Sequence, residues 1–130
     1  MTTDLNRLLL DVTELAREAG RTILEVYASS FTVAEKEDRS PLTEADLRSE
    51  KLILAGLKRL SPEIPVLSEE TGQVPWSKRR DWSRLWVVDP LDGTKEFVQR
   101  NGEFTVNIAL VDHHRAVLGV VHAPVLECTY

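Results

Sequence analysis

Leu5, Leu8, Val12, Leu15, Ala19, Ile23 and Val26 recur at intervals of three and four, the spacing of one face of an α-helix. The pattern predicts a helix over most of Asp4 to Tyr27. A second helix is predicted to begin after Thr43. That residue suits an N-cap, and Asp46 three positions on completes a capping-box signature. Leu47, Ile53 or Leu54, Leu57 and Leu60 supply its buried face, and Ser61-Pro62 ends it. Between the helices, Phe31 to Glu35 reads as a short strand and Lys36 to Pro41 as a polar loop.

The remainder of the chain changes period. Ile64 to Leu67, Leu85 to Val88, Phe104 to Val111 and Ala116 to His122 are strand-like runs. Asp112-His113-His114-Arg115 is a hairpin turn between the last two. A polar loop with Gly72, Pro75 and the basic triplet Lys78-Arg79-Arg80 separates the first two. With no internal repeat and no domain boundary, the expected fold is α+β, two N-terminal helices packed on a mainly antiparallel sheet in a single domain over residues 1–130. Nothing near Tyr130 resembles a closing helix, so the sheet is expected to continue past it and the domain to be incomplete. An unfinished sheet edge offers a surface for self-association.

Composition narrows the function. The chain is 42% hydrophobic and 28% charged, as expected of a soluble globular domain. Its net charge of −5 argues against a nucleic-acid partner, which needs clustered Lys and Arg. The single cysteine, Cys128, cannot form an internal disulfide and is expected to be a small buried hydrophobe in a reducing compartment. No apolar run approaches the ~18 residues of a membrane span, and the N-terminus lacks a signal-peptide core. The expected location is cytoplasmic. His113, His114 and His122 lack zinc spacing. Trp86 is expected in the core, and Trp76 and Trp82 packed under a loop.

The chemistry concentrates in Trp86-Val87-Val88-Asp89-Pro90-Leu91-Asp92-Gly93-Thr94, an apolar strand running into two aspartates and then a short helix. Two carboxylates, the Leu91 carbonyl and the N–H groups of Gly93, Thr94 and Lys95 would suit a hard divalent cation and a phosphate. The same residues are ordinary turn formers, so a plain surface turn fits them equally well. Glu69-Glu70, at the end of another short strand, weigh toward a site, because α/β sheets build sites at strand ends. Solvent exposure would explain one of those two glutamates. Capping of the second helix alone would explain Asp46.

The strings Lys36 to Asp46 (KEDRSPLTEAD), Leu67 to Glu70 (LSEE) and Trp86 to Phe97 (WVVDPLDGTKEF) occur in the order found in the inositol monophosphatase-like superfamily, which the chain resembles over nearly its whole length. Lys95-Glu96-Phe97 and the segment Asn101 to Asn107 most resemble its 3'(2'),5'-bisphosphate nucleotidase branch. The resemblance implies the first half of a layered α/β/α/β/α sandwich and a lithium-sensitive, Mg²⁺-dependent phosphatase. The implied reaction converts 3'-phosphoadenosine 5'-phosphate to AMP and phosphate, and the implied partner is a small nucleoside bisphosphate.

Carried across residue by residue, Glu69, Asp89 and the Leu91 carbonyl would hold a first metal, and Asp89 and Asp92 would share a second. Gly93 and Thr94 would offer backbone N–H groups to the scissile phosphate, with Glu69, Leu91 and Asp92 around it. Thr94, backed by Glu69 or Asp46, would orient the attacking water, and Asp46 would also reach a third, weaker metal through water. Relatives of this type add a further aspartate from a second half that this sequence does not contain. The cytoplasmic face of the inner membrane is a second implied location. Two other readings stand beside this one: an inositol monophosphatase or sugar-phosphate phosphatase, which Lys95-Glu96-Phe97 speaks against, and an inactive metal- or anion-binding module.

Overall fold

The computed structural model describes residues 4–28, 33–35, 41–68 and 74–130. Helix α1 spans Leu5–Tyr27 and opens on Asp4, whose side chain accepts a hydrogen bond from the Arg7 N–H. Its buried face is Leu8, Val12, Leu15, Ala16, Ala19, Gly20, Ile23 and Val26. Strands β1 (Val33–Glu35) and β2 (Pro41–Thr43) form a small antiparallel ladder that leads into α2 (Glu44–Leu60).

The predicted capping box is present. Thr43 caps α2 and Asp46 returns the contact through its carboxylate. The predicted apolar face of α2 needs correction, because Leu47 is 50% exposed. The buried positions are Ala45, Asp46, Ser49, Ile53, Gly56 and Leu57. Two of these are polar, and a face written partly in satisfied polar groups escapes a count of hydrophobic residues. Gly56 is small for a packing reason: an added Cβ would run into the Leu15 side chain, so the two helices approach closely there.

The principal sheet has the order β3-β4-β5-β6-β7, with β3 (Val66–Ser68), β4 (Arg84–Asp92), β5 (Thr105–Asp112), β6 (Arg115–Ala123) and β7 (Cys128–Thr129). Among the described residues, β3 alone runs parallel to its neighbour, β4; the other pairs are antiparallel. The α+β expectation therefore holds, with a mixed sheet. Helix α1 lies over β5 and β6, and α2 over β4. Trp86, Val88, Ile108, Leu110 and Val120 fill the layer between helices and sheet. The Trp86 indole N–H donates to Ser61 Oγ at 2.8 Å, so its one polar atom is satisfied inside the core. The opposite sheet face is open, with Val87 39% and Val121 42% exposed.

Two short helices complete the described fold, α3 (Trp76–Arg79) between β3 and β4, and α4 (Thr94–Val98) after β4. Phe97 of α4 packs with Tyr27 and Phe104, ring centroids 5.1 to 5.3 Å apart, which fastens the start of β5 to the end of α1.

Three minor expectations are corrected. The basic triplet is not simply loop: Lys78 and Arg79 belong to α3, and the Arg79 guanidinium lies over the ring of Trp76. Trp76 is 62% exposed, because a single helical turn has too little surface to cover an indole. Cys128 is exposed on the two-residue edge strand β7 rather than buried. The predicted hairpin turn is present, with His113 and His114 both at positive φ, as a two-residue turn between twisted strands requires. Among the described residues, no helix is long and apolar enough to cross a membrane.

Candidate functional site

Strand β4 does not stop at Val88 as the apolar run suggested; it continues to Asp92. The aspartates therefore lie in the ladder, not in a turn beyond it. Asp89 pairs with Asn107 and Asp92 with Thr105, so a step of three residues on β4 matches a step of two on β5. One extra residue on one strand is a β-bulge. Pro90 sits inside it, at one of the few places in a sheet that tolerate proline.

The bulge decides the chemistry of the corner. Residues three apart on a regular strand point to opposite faces. Asn107 and Thr105, two apart, share a face, and cross-strand partners share a face with each other. Asp89 and Asp92 are thereby brought to one side of the sheet, the open side. Asp89 and Asn107 line a shallow groove there of about 420 Å³ with Val87, Ala109 and Val121.

Helix α2 holds the other side of the bulge. Ser49, fully buried, donates its hydroxyl to the Pro90 carbonyl at 2.7 Å. The Leu91 side chain is buried, while its carbonyl oxygen lies 3.5 Å from Thr94 Oγ1 and so faces the same corner as that hydroxyl. Gly93 follows in the left-handed region, φ 95°, and N-caps α4. A side chain there would meet the Glu103 carbonyl at 2.9 Å and Glu96 Oε2 at 3.2 Å.

Asp46 does more than cap. Its Oδ2 accepts from the Thr43 N–H at 2.8 Å and from Thr43 Oγ1 at 2.6 Å. Its Oδ1 accepts from Thr94 Oγ1 at 2.9 Å. The carboxylate is wholly buried, with hydrogen bonds on both oxygens. Since Thr94 gives its hydroxyl proton to Asp46, the lone pairs on its oxygen remain able to accept one from a neighbouring molecule.

Glu69 and Glu70 lie outside the described residues. The last described residue before them, Ser68, pairs with Val88, immediately before Asp89, and donates its hydroxyl to Glu50 Oε2 at 3.1 Å. Asp89, Leu91, Asp92, Gly93, Thr94 and Asp46 thus meet around one strand end and one short helix. Sequence reasoning missed three neighbours. One is Ser49. The other two are Thr105 and Asn107, where the Thr105 hydroxyl donates to Asn107 Oδ1 at 2.9 Å and Asn107 Nδ2 donates to Asp92 Oδ2 at 3.1 Å. The signal for the pair was two polar residues at alternate positions of an otherwise apolar strand.

Among the described residues, no three His, Cys, Asp or Glu side chains gather as a metal cage. What they present is two carboxylates on one face and a nearby backbone carbonyl. This all-oxygen donor set has no soft ligand and fits a hard divalent cation that keeps several waters.

The sequence profile of the inositol monophosphatase family matches residues 4–130. The chain belongs to the inositol monophosphatase family. Among family relatives, 3'(2'),5'-bisphosphate nucleotidase CysQ of Escherichia coli O157:H7 is 54% identical over 125 residues, 95% of this chain and 50% of the relative. The chain spans about half the length of the curated relatives it matches.

Of the solved structures, CysQ from Bacteroides thetaiotaomicron superposes with a TM-score of 0.80 at 46% identity, over 95% of this chain and 45% of that one. The extragenic suppressor protein suhB of Bartonella henselae superposes with a TM-score of 0.84 at 28% identity, over 95% of this chain and 47% of that one. The expected family and fold are thereby established.

Proposed function

We propose that this chain carries the metal-holding and water-orienting part of a Mg²⁺-dependent phosphatase that removes the 3'-phosphate of 3'-phosphoadenosine 5'-phosphate. The observation that carries this reading is the corner itself, with Asp89 and Asp92 on one sheet face and the Thr94 hydroxyl anchored on buried Asp46. Substrate choice rests on the relatives named as 3'(2'),5'-bisphosphate nucleotidases, at 52 to 54% identity in Escherichia coli and Salmonella typhimurium.

Asp89 and the Leu91 carbonyl would hold a first Mg²⁺ together with Glu69, and Asp89 with Asp92 a second. Such ions, when bound, lower the pKa of water and offset charge on the oxygens of an in-line displacement. The chain's own contributions are positional. Thr94 Oγ1 accepts a hydrogen bond from the attacking water and aims its oxygen, while Asp46 fixes the hydroxyl by taking its proton in a hydrogen bond. The Gly93 and Thr94 N–H groups bind phosphate oxygens. Attack forms one P–O bond from water and breaks the P–O bond to the 3'-oxygen, which leaves with a proton as the ribose hydroxyl. No covalent phosphoenzyme is needed.

The test is phosphate release from 3'-phosphoadenosine 5'-phosphate and from inositol 1-phosphate, each with Mg²⁺ and with excess chelator. Release from the nucleotide that chelator abolishes is expected. Inositol phosphate hydrolysis without nucleotide hydrolysis would refute the substrate. Release from neither would leave the metal- or anion-binding module as the better account.

A further inference from the structure

We infer that Asn107 is a positioning residue for the Asp92 carboxylate and that Thr105 braces the Asn107 amide in place; this rests on the metal-site reading above. Asp92 is exposed, on the last residue of β4, where nothing in the apolar packing fixes its rotamer. Asn107 is half-buried within β5, and the bulge sets it on the same face, diagonal to Asp92. Its Nδ2 donates to Asp92 Oδ2 at 3.1 Å. That bond engages one carboxylate oxygen from the strand side and leaves the other for a ligand.

An amide can flip, and the flipped form would set two acceptor oxygens against each other. The Asp92 carboxylate, which only accepts, therefore fixes which way the amide faces. Thr105 braces the far end of the amide, its hydroxyl donating to Asn107 Oδ1 at 2.9 Å. Threonine is stiff about χ1, so the three side chains form a directed chain, Thr105 to Asn107 to Asp92, built on two rigid strands. Residues that orient a ligating carboxylate typically change metal affinity by about tenfold or more when removed.

The test is Mn²⁺ binding to the full chain, followed by the electron paramagnetic resonance signal of free Mn²⁺ with no substrate present. Asn107→Leu keeps the volume and removes the amide; its Kd is expected to rise about tenfold. Thr105→Val, which leaves the amide facing Asp92 but without its brace, is expected to raise Kd by about threefold, less than loss of the amide itself. The double variant is expected to bind no more weakly than Asn107→Leu alone, because Thr105 acts through Asn107.

Circular dichroism checks that each variant folds, and Thr105→Val carries the test should Asn107→Leu fail to. Binding by both single variants within twofold of the parent would overturn the inference. Strictly additive effects would overturn the role given to Thr105. Asp89→Asn separates the two readings: if it binds Mn²⁺ as the parent does, the metal site itself is wrong and this inference falls with it. If it loses binding while the Asn107 and Thr105 variants do not, only this inference fails.

Discussion

Asp46→Asn separates the structural from the chemical role of one buried carboxylate. The amide can be placed in only one orientation without conflict, since the Thr43 N–H must keep an acceptor. The substituted side chain would therefore turn its oxygen to Thr43 and its NH₂ to Thr94. Both Thr43 bonds survive as neutral rather than charge-assisted contacts, a loss of roughly 1–2 kcal/mol of stability. The Thr94 end changes more. Thr94 Oγ1, which donates to Asp46 at 2.9 Å, would have to accept instead. One of its two lone pairs would then be taken and its proton turned outward, so the hydroxyl would no longer hold a lone pair aimed at the attacking water.

Misplacing an attacking group by about an ångström can cost about 10²-fold in rate. The expected result is a fall in kcat of that order, a smaller change in KM, and a modest shift in the urea midpoint. The assays are phosphate release from 3'-phosphoadenosine 5'-phosphate and urea unfolding followed by tryptophan fluorescence. A kcat within threefold of the parent would refute the positioning role of Asp46. A stability loss above about 4 kcal/mol would show that Asp46 matters chiefly as a cap and that its kinetics report unfolding.

Ser49→Ala leaves the buried Pro90 carbonyl without its donor, and a loss of about 1–3 kcal/mol is expected in urea unfolding; an unchanged midpoint would show that the bulge stands without α2. Gly93→Ala forces a Cβ into the left-handed region at φ 95° and against the Glu103 carbonyl, with an expected cost of about 1–3 kcal/mol in the same assay. His122 is held below its ordinary value near 6.5 by burial first and then by the Arg17 guanidinium, with Arg21 adding to it, against an opposing hydrogen bond to the Cys128 backbone. The unfolded chain then binds the proton more readily than the folded one, so stability present above about pH 6.5 is lost as pH falls toward the depressed folded value. Urea midpoints at pH 7.5 and 5.5 are expected to differ more in the parent than in His122→Gln; equal differences would exclude His122 as the source.

The helices were legible in the sequence because their signals are local. The three- and four-residue spacing of α1 and the Thr43–Asp46 box need no knowledge of the rest of the chain. The metal corner was legible as residue types in order, but not as geometry. From sequence, Asp89 and Asp92 read as two aspartates in a possible turn. That they share a sheet face follows from the pairing of β4 with β5, which a single strand's sequence does not encode. Leu47 and Cys128 failed for the converse reason. Apolar character was taken to mean burial, yet Asp46 and Ser49 hold the inner face of α2 through hydrogen bonds that no hydrophobic count registers.

The bulge links fold to chemistry most tightly. Were β4 paired regularly through this stretch, the three-residue step would turn Asp92 away from Asp89, into the layer under α2. The Asp-Pro-x-Asp spacing works because a bulge tolerates proline, Ser49 fixes the carbonyl inside it, and positions 107 and 105 impose the parity that brings the acids together. Deleting Pro90 separates that parity from the bulge itself. Asp89 and Asp92 would become alternate residues of a regular strand, so both would still face the open side. The extra residue would be gone, and with it the carbonyl that Ser49 holds and the outward turn of the Leu91 carbonyl. A folded deletion variant should therefore still take up Mn²⁺, with affinity lowered by about tenfold or more through the lost carbonyl and the lost support of the site. Complete loss of uptake in a folded variant would mean that the carbonyl, not the shared face of the two acids, makes the site.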